Sequence, residues 1–100
     1  MEEVVLRLNQ KNHGAFYLMQ NGEQVGEMVI GVNDKNLTAY HTEIMPQAEG
    51  HGLAVKLLEA MVAYAREHHL MVIPLCAYVH AQFKKHPDTY ADIWQKQTNE

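Results

Sequence analysis

A glycine-rich turn is the part of this sequence best suited to bind a ligand: Gln47-Ala48-Glu49-Gly50-His51-Gly52. It lies between a strand-like run, residues 37–45, and an amphipathic run, residues 53–68. Glycines leave backbone N–H groups unshielded, and the positive end of a helix dipole favours an anion there. The pattern predicts a phosphate-binding turn to which the His51 side chain adds charge. In the alternative interpretation, the glycines only make a tight corner.

Side chains that could move protons or act as nucleophiles lie on both sides of this turn. His41 and Glu43 share one face of the preceding strand under strict alternation, so either is a candidate base for an amine. Cys76 follows the next apolar run, at the start of a predicted helix, where a thiol can become nucleophilic. Each residue also has a structural interpretation: a half-buried histidine, a carboxylate at the rim of the sheet, and a small buried hydrophobe.

Seven histidines raise the question of a metal site. His68 and His69 are adjacent and face different directions on a helix, while His80 and His86 are six residues apart and lie on different faces. The spacing His-x-x-x-His does not occur in the sequence. We therefore predict no metal site.

The first half of the chain has the patterns of four antiparallel strands. Val4, Leu6 and Leu8 alternate with Val5, Arg7 and Asn9, which indicates a strand with one apolar face. Asn21-Gly22 between two apolar runs is typical of a tight hairpin turn. Residues 11–14 and 33–36 have the composition of turns. The short connections predict a meander whose strands cover residues 4–9, 15–20, 23–32 and 37–45.

The second half changes to a helical period. Residues 53–68 carry one apolar stripe, which predicts a helix packed on the sheet. Residues 70–75 predict a fifth strand, parallel to the fourth because a helix connects the two, with Pro74 at a strand end or bulge. Residues 78–86 predict a short helix stopped by Pro87. Tyr90 and Trp94, four residues apart, predict a final helical turn that packs on the body of the protein.

Composition limits the class of protein. One hundred residues with 47% hydrophobic content support one small core, so we predict a single domain over residues 1–100. No apolar run approaches the roughly 20 residues of a membrane span, and Met1-Glu2-Glu3 does not start a secretory signal. A lone cysteine fits a reducing compartment, and a net charge of −4 disfavours nucleic acid and anionic lipid. We expect a cytoplasmic protein, monomeric or weakly dimeric, with neither nucleic acid nor a membrane as partner.

The order of four strands, glycine turn, long helix, strand and short helix resembles the core of the GNAT-type N-acetyltransferases. Their signature for the acyl-CoA pyrophosphate is Gln or Arg, two residues, Gly, one residue, and Gly or Ala. Gln47, Gly50 and Gly52 match it, and Pro46 fits the end of the fourth strand. The chain is most similar to the short, single-domain branch of the superfamily. Three further segments carry that similarity: His41-Thr42-Glu43, Pro74-Leu75-Cys76, and His86-Pro87-Asp88 with Tyr90.

The resemblance implies a minimal α/β (α+β) fold with a four-strand antiparallel meander, a central helix, a parallel fifth strand and short C-terminal helices. It also implies acetyl-CoA as the cofactor, with its pyrophosphate held by the turn that includes Glu49 and His51. The pantetheine arm would pair with backbone near Ile44 and Met45, where the fourth strand splays from the fifth. The basic pair Lys84 and Lys85 would meet the 3′-phosphate of coenzyme A.

The resemblance further implies acetyl transfer to an amine by direct attack on the thioester, with the oxyanion held by a backbone amide. In this superfamily a tyrosine at the position of Tyr78 often protonates the leaving thiolate. A cysteine at the position of Cys76 recurs in the short branch and suggests transfer through an acyl-cysteine. The acceptor amine is not identified. The alternatives are a non-catalytic CoA-binding or protein-interaction module, and an α+β scaffold without affinity for CoA.

Overall fold

The structure, a computed structural model, describes residues 2–96. The predicted domain of residues 1–100 thus includes Met1 and residues 97–100, which lie outside the described residues. The strands are β1 (Glu2–Leu8), β2 (His13–Gln20), β3 (Glu23–Val32), β4 (Asn36–Ile44) and β5 (Met71–Pro74). The helices are α1 (Ala54–Glu67), α2 (Ala77–Lys85) and α3 (Pro87–Tyr90), and a short 3₁₀ helix spans Pro46–Ala48.

The five strands form one sheet in the order β1-β2-β3-β4-β5. The first four pair antiparallel and β5 pairs parallel to β4, which confirms the predicted meander and crossover. Asn21 and Gly22 have φ angles of 51° and 84°, as a tight hairpin turn requires. Pro74 is the last residue of β5, where its missing N–H interrupts no ladder.

The turn between β1 and β2 lies two residues earlier than the sequence predicts. The Asn9 side chain accepts hydrogen bonds from the N–H groups of Lys11 and His13, at 2.8 and 3.1 Å, and Asn12 has a φ of 62°. These contacts close the turn before His13, so the predicted turn over residues 11–14 is wrong in its second half. Gly14 belongs to β2, where a Cβ would lie 1.9 Å from the Arg7 carbonyl oxygen.

The sheet has one covered face and one open face. The apolar residues of α1 and α2 pack with Leu18, Ile30, Leu37 and other residues of the covered face in a single buried cluster. Side chains of the opposite face, such as Tyr17 and Val29, are only half-buried and do not belong to this cluster. The molecule measures 40 × 33 × 20 Å, and the shortest dimension fits one helix layer on one sheet.

A β-bulge at Tyr40 changes which residues of β4 face the helices. Val29 of β3 pairs with His41 and Ile30 pairs with Ala39, so Tyr40 is an extra residue on β4. Before the bulge, odd-numbered residues such as Ala39 face the helices. After the bulge the alternation is reversed, and the even-numbered residues Thr42 and Ile44 face them.

Beyond the bulge, β4 runs past the end of its parallel neighbour. β5 pairs only with residues 36–39 of β4, and the last contact is the Cys76 N–H to the Ala39 carbonyl, at 2.8 Å. The Met45 N–H donates to Val25 of β3, so residues 43 and 45 direct their backbone groups to β3. The backbone N–H and C=O groups of Thr42 and Ile44 therefore face the gap beyond β5.

The C-terminal segment follows the prediction with one correction. α2 ends before Pro87, as predicted, but the last helix begins at Pro87 and ends at Tyr90, earlier than the helical turn predicted over Tyr90 and Trp94. Tyr90 stacks on Phe83 with ring centroids 4.6 Å apart, and Trp94 meets the same ring edge-on at 5.7 Å. Residues 93–95 then cover the outer edge of β5 through two backbone hydrogen bonds with Val72, at 2.6 and 2.9 Å.

Candidate functional site

A cleft of about 250 Å³ lies where β4 ends and α1 begins, on the covered face of the sheet. We call it the turn cleft. It is bounded by β4 beyond the bulge, by the predicted glycine turn, and by one residue of α2. The lining residues are Thr42, Ile44, Ala48, Glu49, Gly50, Gly52, Leu53, Ala54 and Tyr78.

The two glycines of the turn are required by backbone conformation rather than by packing. Gly50 and Gly52 have φ angles of 84° and 67°, which side chains with a Cβ rarely adopt. A Cβ built at either position would meet nothing within 4 Å. The space beside both Cα atoms is therefore open, and both glycines line the turn cleft.

The start of α1 offers hydrogen-bond donors without acceptors. The N–H groups of Ala48 and Glu49 donate back into the 3₁₀ turn. By contrast, the N–H groups of residues 50–53 have no acceptor within residues 2–96. Leu53 caps the helix without a side-chain hydrogen bond, and the first turn of α1 carries no acidic residue. Free donors at an uncapped helix N-terminus are the arrangement that binds an anion.

The predicted ligand-binding side chains of the turn have different positions. Glu49 lines the turn cleft, while Gln47 and His51 are exposed beside it. The Gln47 amide lies 3.7 Å from the Met45 sulfur. Ile44 lines the cleft with its side chain, whereas Met45 lines a different cleft on the other side of β4.

Tyr78, near the start of α2, is the one residue of the turn cleft that comes from outside residues 42–54. Its hydroxyl is buried and has no hydrogen-bond partner among the described residues. Burial raises the pKa of this phenol, and the neighbouring Tyr90, Cys76 and Glu59 raise it further. Tyr78 is therefore a protonated donor at neutral pH, with its hydrogen bond available.

Cys76 and Thr42 form a pair next to the cleft. Cys76 is the N-cap residue of α2, as the sequence predicts, and is 3% exposed. Its sulfur lies 3.1 Å from the Thr42 hydroxyl oxygen. Thr42 lines the cleft and Cys76 lies behind it. Thr42 cannot be recognised as a cleft residue from the sequence, because only the bulge brings its side chain to this face.

His41 and Glu43 lie on the open face of the sheet, away from Tyr78 and Cys76. They share a face, as predicted, and the His41 Nε2 lies 3.6 Å from a Glu43 carboxylate oxygen, but both side chains are more than half exposed. Glu43 also stands directly opposite Glu27 in the β3–β4 register. The structure thus divides the four predicted catalytic residues between the two sides of β4.

Lys84 and Lys85 in the last turn of α2 point in different directions. Lys85 is seven residues after Tyr78, so it lies on the same face of the helix, two turns further along. Lys84 instead lines a second cleft of about 320 Å³, together with His80, Trp94 and Lys96.

Comparison with known families identifies the chain. The model of the GCN5-related N-acetyltransferase family matches residues 15–93. This chain belongs to that family. The match begins in β2 and ends after α3, so it includes the turn cleft and all four predicted catalytic residues. No curated protein matches the sequence.

Solved structures confirm the fold of this family member. A GCN5-like protein from Staphylococcus aureus is 24% identical with a TM-score of 0.67, over 98% of this chain and 92% of its own. The ribosomal-protein-S18-alanine N-acetyltransferase of Escherichia coli is 18% identical with a TM-score of 0.65. Its match covers 77% of this chain, which spans only 53% of that enzyme's length. A ribosomal-protein-alanine N-acetyltransferase from Brucella melitensis biovar Abortus 2308 is 15% identical, with a TM-score of 0.64, over 90% of this chain and 67% of its own.

The described residues of this family member contain neither a metal-binding cluster nor a membrane-spanning helix. Within residues 2–96, no group of three or more His, Cys, Asp or Glu side chains is arranged to hold a metal ion. Among the helices of the same residues, none is both long enough and apolar enough to cross a membrane.

Proposed function

We propose that this protein binds acetyl-CoA in the turn cleft and transfers the acetyl group to an amine. The observation that carries the proposal is the run of backbone N–H groups, residues 50–53, that lack acceptors at the uncapped start of α1. A phosphate group bound there would accept these hydrogen bonds and meet the positive end of the helix dipole. Membership of an N-acetyltransferase family supports acetyl-CoA as the ligand that carries the phosphates.

The turn cleft and the gap beside β4 together match an elongated ligand. The turn of residues 47–53, with Gln47, Glu49 and His51 around it, would hold the pyrophosphate. The free backbone groups of Thr42 and Ile44 would pair with the amides of the pantetheine arm, as a neighbouring strand would. Lys85, on the same face of α2 as Tyr78, would supply a cation for the terminal phosphate. When bound, acetyl-CoA supplies an acetyl group activated as a thioester.

The residues around the gap would assist the transfer in three ways. A backbone N–H of β4 that faces the gap would stabilise negative charge on the carbonyl oxygen. Tyr78, protonated and unpartnered, would give a proton to the departing sulfur. On the open face, His41 and Glu43 would take the proton of an amine that approaches β4 from that side.

Cys76 offers a second route, because its thiol lies behind the turn cleft at the start of α2, beside Thr42, which lines the cleft. In that route its sulfur would bond to the acetyl carbon, the thioester bond to CoA would break, and the thiol proton would pass to the CoA sulfur. Mass spectrometry after incubation with acetyl-CoA separates the routes. An acetyl group on Cys76 assigns the covalent route, and acetylated amine formed by the Cys76→Ser variant assigns direct attack.

A non-catalytic CoA-binding module is the second candidate. It is favoured by the placement of His41 and Glu43, which are exposed on the open face and distant from the donors of the turn cleft. An assay against a panel of amines distinguishes the two functions. Turnover of any amine identifies an enzyme, while saturable binding without turnover across the panel favours the module.

A pair of glycine variants tests the cofactor site. Gly50 and Gly22 both have a φ of 84°, and a Cβ at either position meets open space. Replacement of either glycine by alanine should therefore lower the unfolding free energy by about 1 kcal/mol, through backbone strain alone. Only Gly50→Ala should also lose the rise in melting temperature that CoA produces in the unmodified protein.

The outcomes of this comparison are distinct. If the unmodified protein shows no shift at millimolar CoA, the cofactor proposal is wrong. If both variants keep an equal shift, CoA binds elsewhere on the molecule.

Hydrogen exchange adds a readout along β4. The amide protons of Thr42 and Ile44 face the gap and should exchange faster than those of Glu43 and Met45, which face β3. CoA should slow exchange at Thr42 and Ile44 selectively. Uniform slowing along β4 would indicate general stabilisation instead of pairing with the ligand.

We further propose that the protein is cytoplasmic and monomeric or weakly dimeric. We also propose that it has neither nucleic acid nor a membrane as partner. The net charge of −4 supports the absence of these two partners, because anionic polymers and lipid surfaces would repel the chain.

A further inference from the structure

We propose that the second cleft, formed by His80, Lys84, Trp94 and Lys96, is an independent binding site for a phosphate dianion, free or carried by a small phosphomonoester. We call it the lysine cleft. Its volume is about 320 Å³, enough for a phosphate group and part of the molecule that carries it. The proposal goes beyond acetyl-CoA binding and does not depend on it.

The lysine cleft is separate from the turn cleft because α2 stands between them. Successive residues of an α-helix are about 100° apart, so Tyr78 and His80 lie about 200° apart around the axis. Lys84 lies only about 40° from His80 by the same geometry, on the face that points away from the turn cleft. No residue lines both clefts among those that the structure describes.

Two cations converge on this cleft without carboxylate partners. Lys84 and Lys96 both line it, and neither makes an ion pair within residues 2–96. The Lys96 ammonium lies 4.6 Å from the centroid of the Trp94 ring, a cation–π contact that holds the charge over the cleft wall. A chain with a net charge of −4 thus brings together, in one concave site, two ammonium groups that make no ion pair with the described residues.

A structural role explains only part of this arrangement. A lysine in the last turn of a helix complements the helix dipole, which accounts for Lys84 and Lys85 where they stand. It does not account for Lys96, which follows the segment that covers β5 and still reaches the same cleft.

Among the described residues, the wall of the cleft carries hydrogen-bond donors and no carboxylate. None of the four lining residues that the structure describes is acidic. The Trp94 indole N–H is buried and has no acceptor among the described residues. A neutral or cationic ligand would leave both ammonium groups unpaired, whereas a dianion matches their combined charge. Phosphate chemistry is therefore favoured over a single carboxylate.

The experiment uses Trp94 as its own reporter. Trp94 is the only tryptophan of the sequence, so the protein has a single indole cross-peak in a ¹H–¹⁵N spectrum. Inorganic phosphate is titrated into the full chain at constant ionic strength, with acetate and chloride as separate arms. We expect a saturable shift of the indole peak with phosphate, with a Kd of about 1–10 mM, and at least about tenfold weaker binding of acetate.

Two neighbouring lysines provide the variant and its control. Lys84→Gln should weaken phosphate binding about tenfold, because one charge-assisted contact is lost. Lys85→Gln removes the same charge one residue along, on a different face of α2, and should leave the titration unchanged. Both lysines are exposed, so both variants should fold.

Any of the following results would overturn the proposal. The indole shift could fail to saturate in the unmodified protein, both variants could bind phosphate equally, or acetate could bind as tightly as phosphate. A further arm tests AMP as a phosphomonoester. Comparison of its Kd with that of phosphate shows whether the molecule that carries the phosphate group adds affinity. Saturating CoA should leave the phosphate titration intact, and its displacement of phosphate would mean that the two sites are one.

Discussion

The hydroxyl of Tyr78 is buried without a hydrogen-bond partner among the described residues, a state that folding alone would not favour. A buried polar group without a partner costs about 1–3 kcal/mol, and this one, unpartnered among the described residues, belongs to a side chain that lines the turn cleft. The cost is understandable if the partner arrives with the ligand. An unmade hydrogen bond is then part of the binding site and not a packing defect.

Tyr78→Phe separates these two interpretations. Removal of an unpartnered hydroxyl should leave the unfolding free energy unchanged or raise it by up to about 1 kcal/mol. If Tyr78 donates a proton during transfer, kcat for amine acetylation should fall by about 10²-fold, with little change in KM for acetyl-CoA. Tyr17→Phe, on the open face, is the control and should change neither quantity. Unchanged kcat in Tyr78→Phe would remove the tyrosine from the mechanism.

At the scale of elements, the strands, the glycine turn and the helices could be predicted because their signals are local. A positive φ at Gly50, an Asn-Gly pair at residues 21–22 and a proline after α2 each act through neighbouring residues in the chain. The bounds of the five strands, of α1 and of α2 are therefore within one or two residues of the prediction, whereas α3 begins three residues before Tyr90. The short connections and the helical crossover predicted the sheet order as well.

The bulge in β4 could not be predicted, and it decides which side chains enter the cleft. Strict alternation would place His41 and Glu43 on the same side as Ala39, facing the helices. The extra residue, Tyr40, is a good strand former with nothing in its type to mark an irregularity. The bulge is set by tertiary pairing with β3. Only the three-dimensional structure therefore shows that Thr42, and not His41, lines the cleft.

The C-terminus of α1 leads to a stability prediction. His69 has a φ of 57° and occupies the left-handed position after the helix, while the Leu70 N–H reaches back to the Ala65 carbonyl at 2.8 Å. This motif favours glycine. His69→Gly should therefore raise the unfolding free energy by about 0.5–1 kcal/mol in chemical denaturation.

His68→Gly is the matched control for this change. His68 has a negative φ of −99°, so glycine relieves no strain there, and its ring contact with Tyr64 at 4.2 Å is lost. We expect this variant to lose stability. A gain in both variants would contradict the proposed cause.

The pair of Arg66 in α1 and Asp92 beyond α3 predicts a pH effect. Arg66 donates two hydrogen bonds to the carboxylate, at 2.9 and 3.1 Å, and these lower the pKa of Asp92. A lowered pKa adds stability above the unfolded value of about 3.9, and this stability is lost as pH falls through the folded value. Asp92→Asn should therefore lower the unfolding free energy by less than about 1 kcal/mol at pH 7, because the pair is exposed.

The difference in unfolding free energy between the unmodified protein and Asp92→Asn should shrink as pH falls below about 4. There the carboxyl group is protonated first in the unfolded protein and then, at lower pH, in the folded protein. Thermal unfolding between pH 7 and pH 3 measures this difference. Asp34→Asn, in the exposed turn before β4, is the control and should match the unmodified protein across that range. A difference that stays constant with pH would show that ionisation of Asp92 is not its cause.

At the scale of the whole molecule, one buried cluster joins both helices to one face of the sheet. A single cluster predicts one cooperative unfolding transition. In urea, Trp94 fluorescence, which reports the corner of α2, α3 and β5, should follow the same curve as far-ultraviolet circular dichroism. Midpoints that differ beyond error would contradict the prediction of a single domain.

The turn cleft is almost continuous in sequence, since every lining residue except Tyr78 comes from residues 42–54. A site of this kind can be inherited as one piece while the rest of the chain is shortened or replaced. The segment is therefore a natural unit for transplantation, in which a host needs only a parallel βαβ frame and one tyrosine.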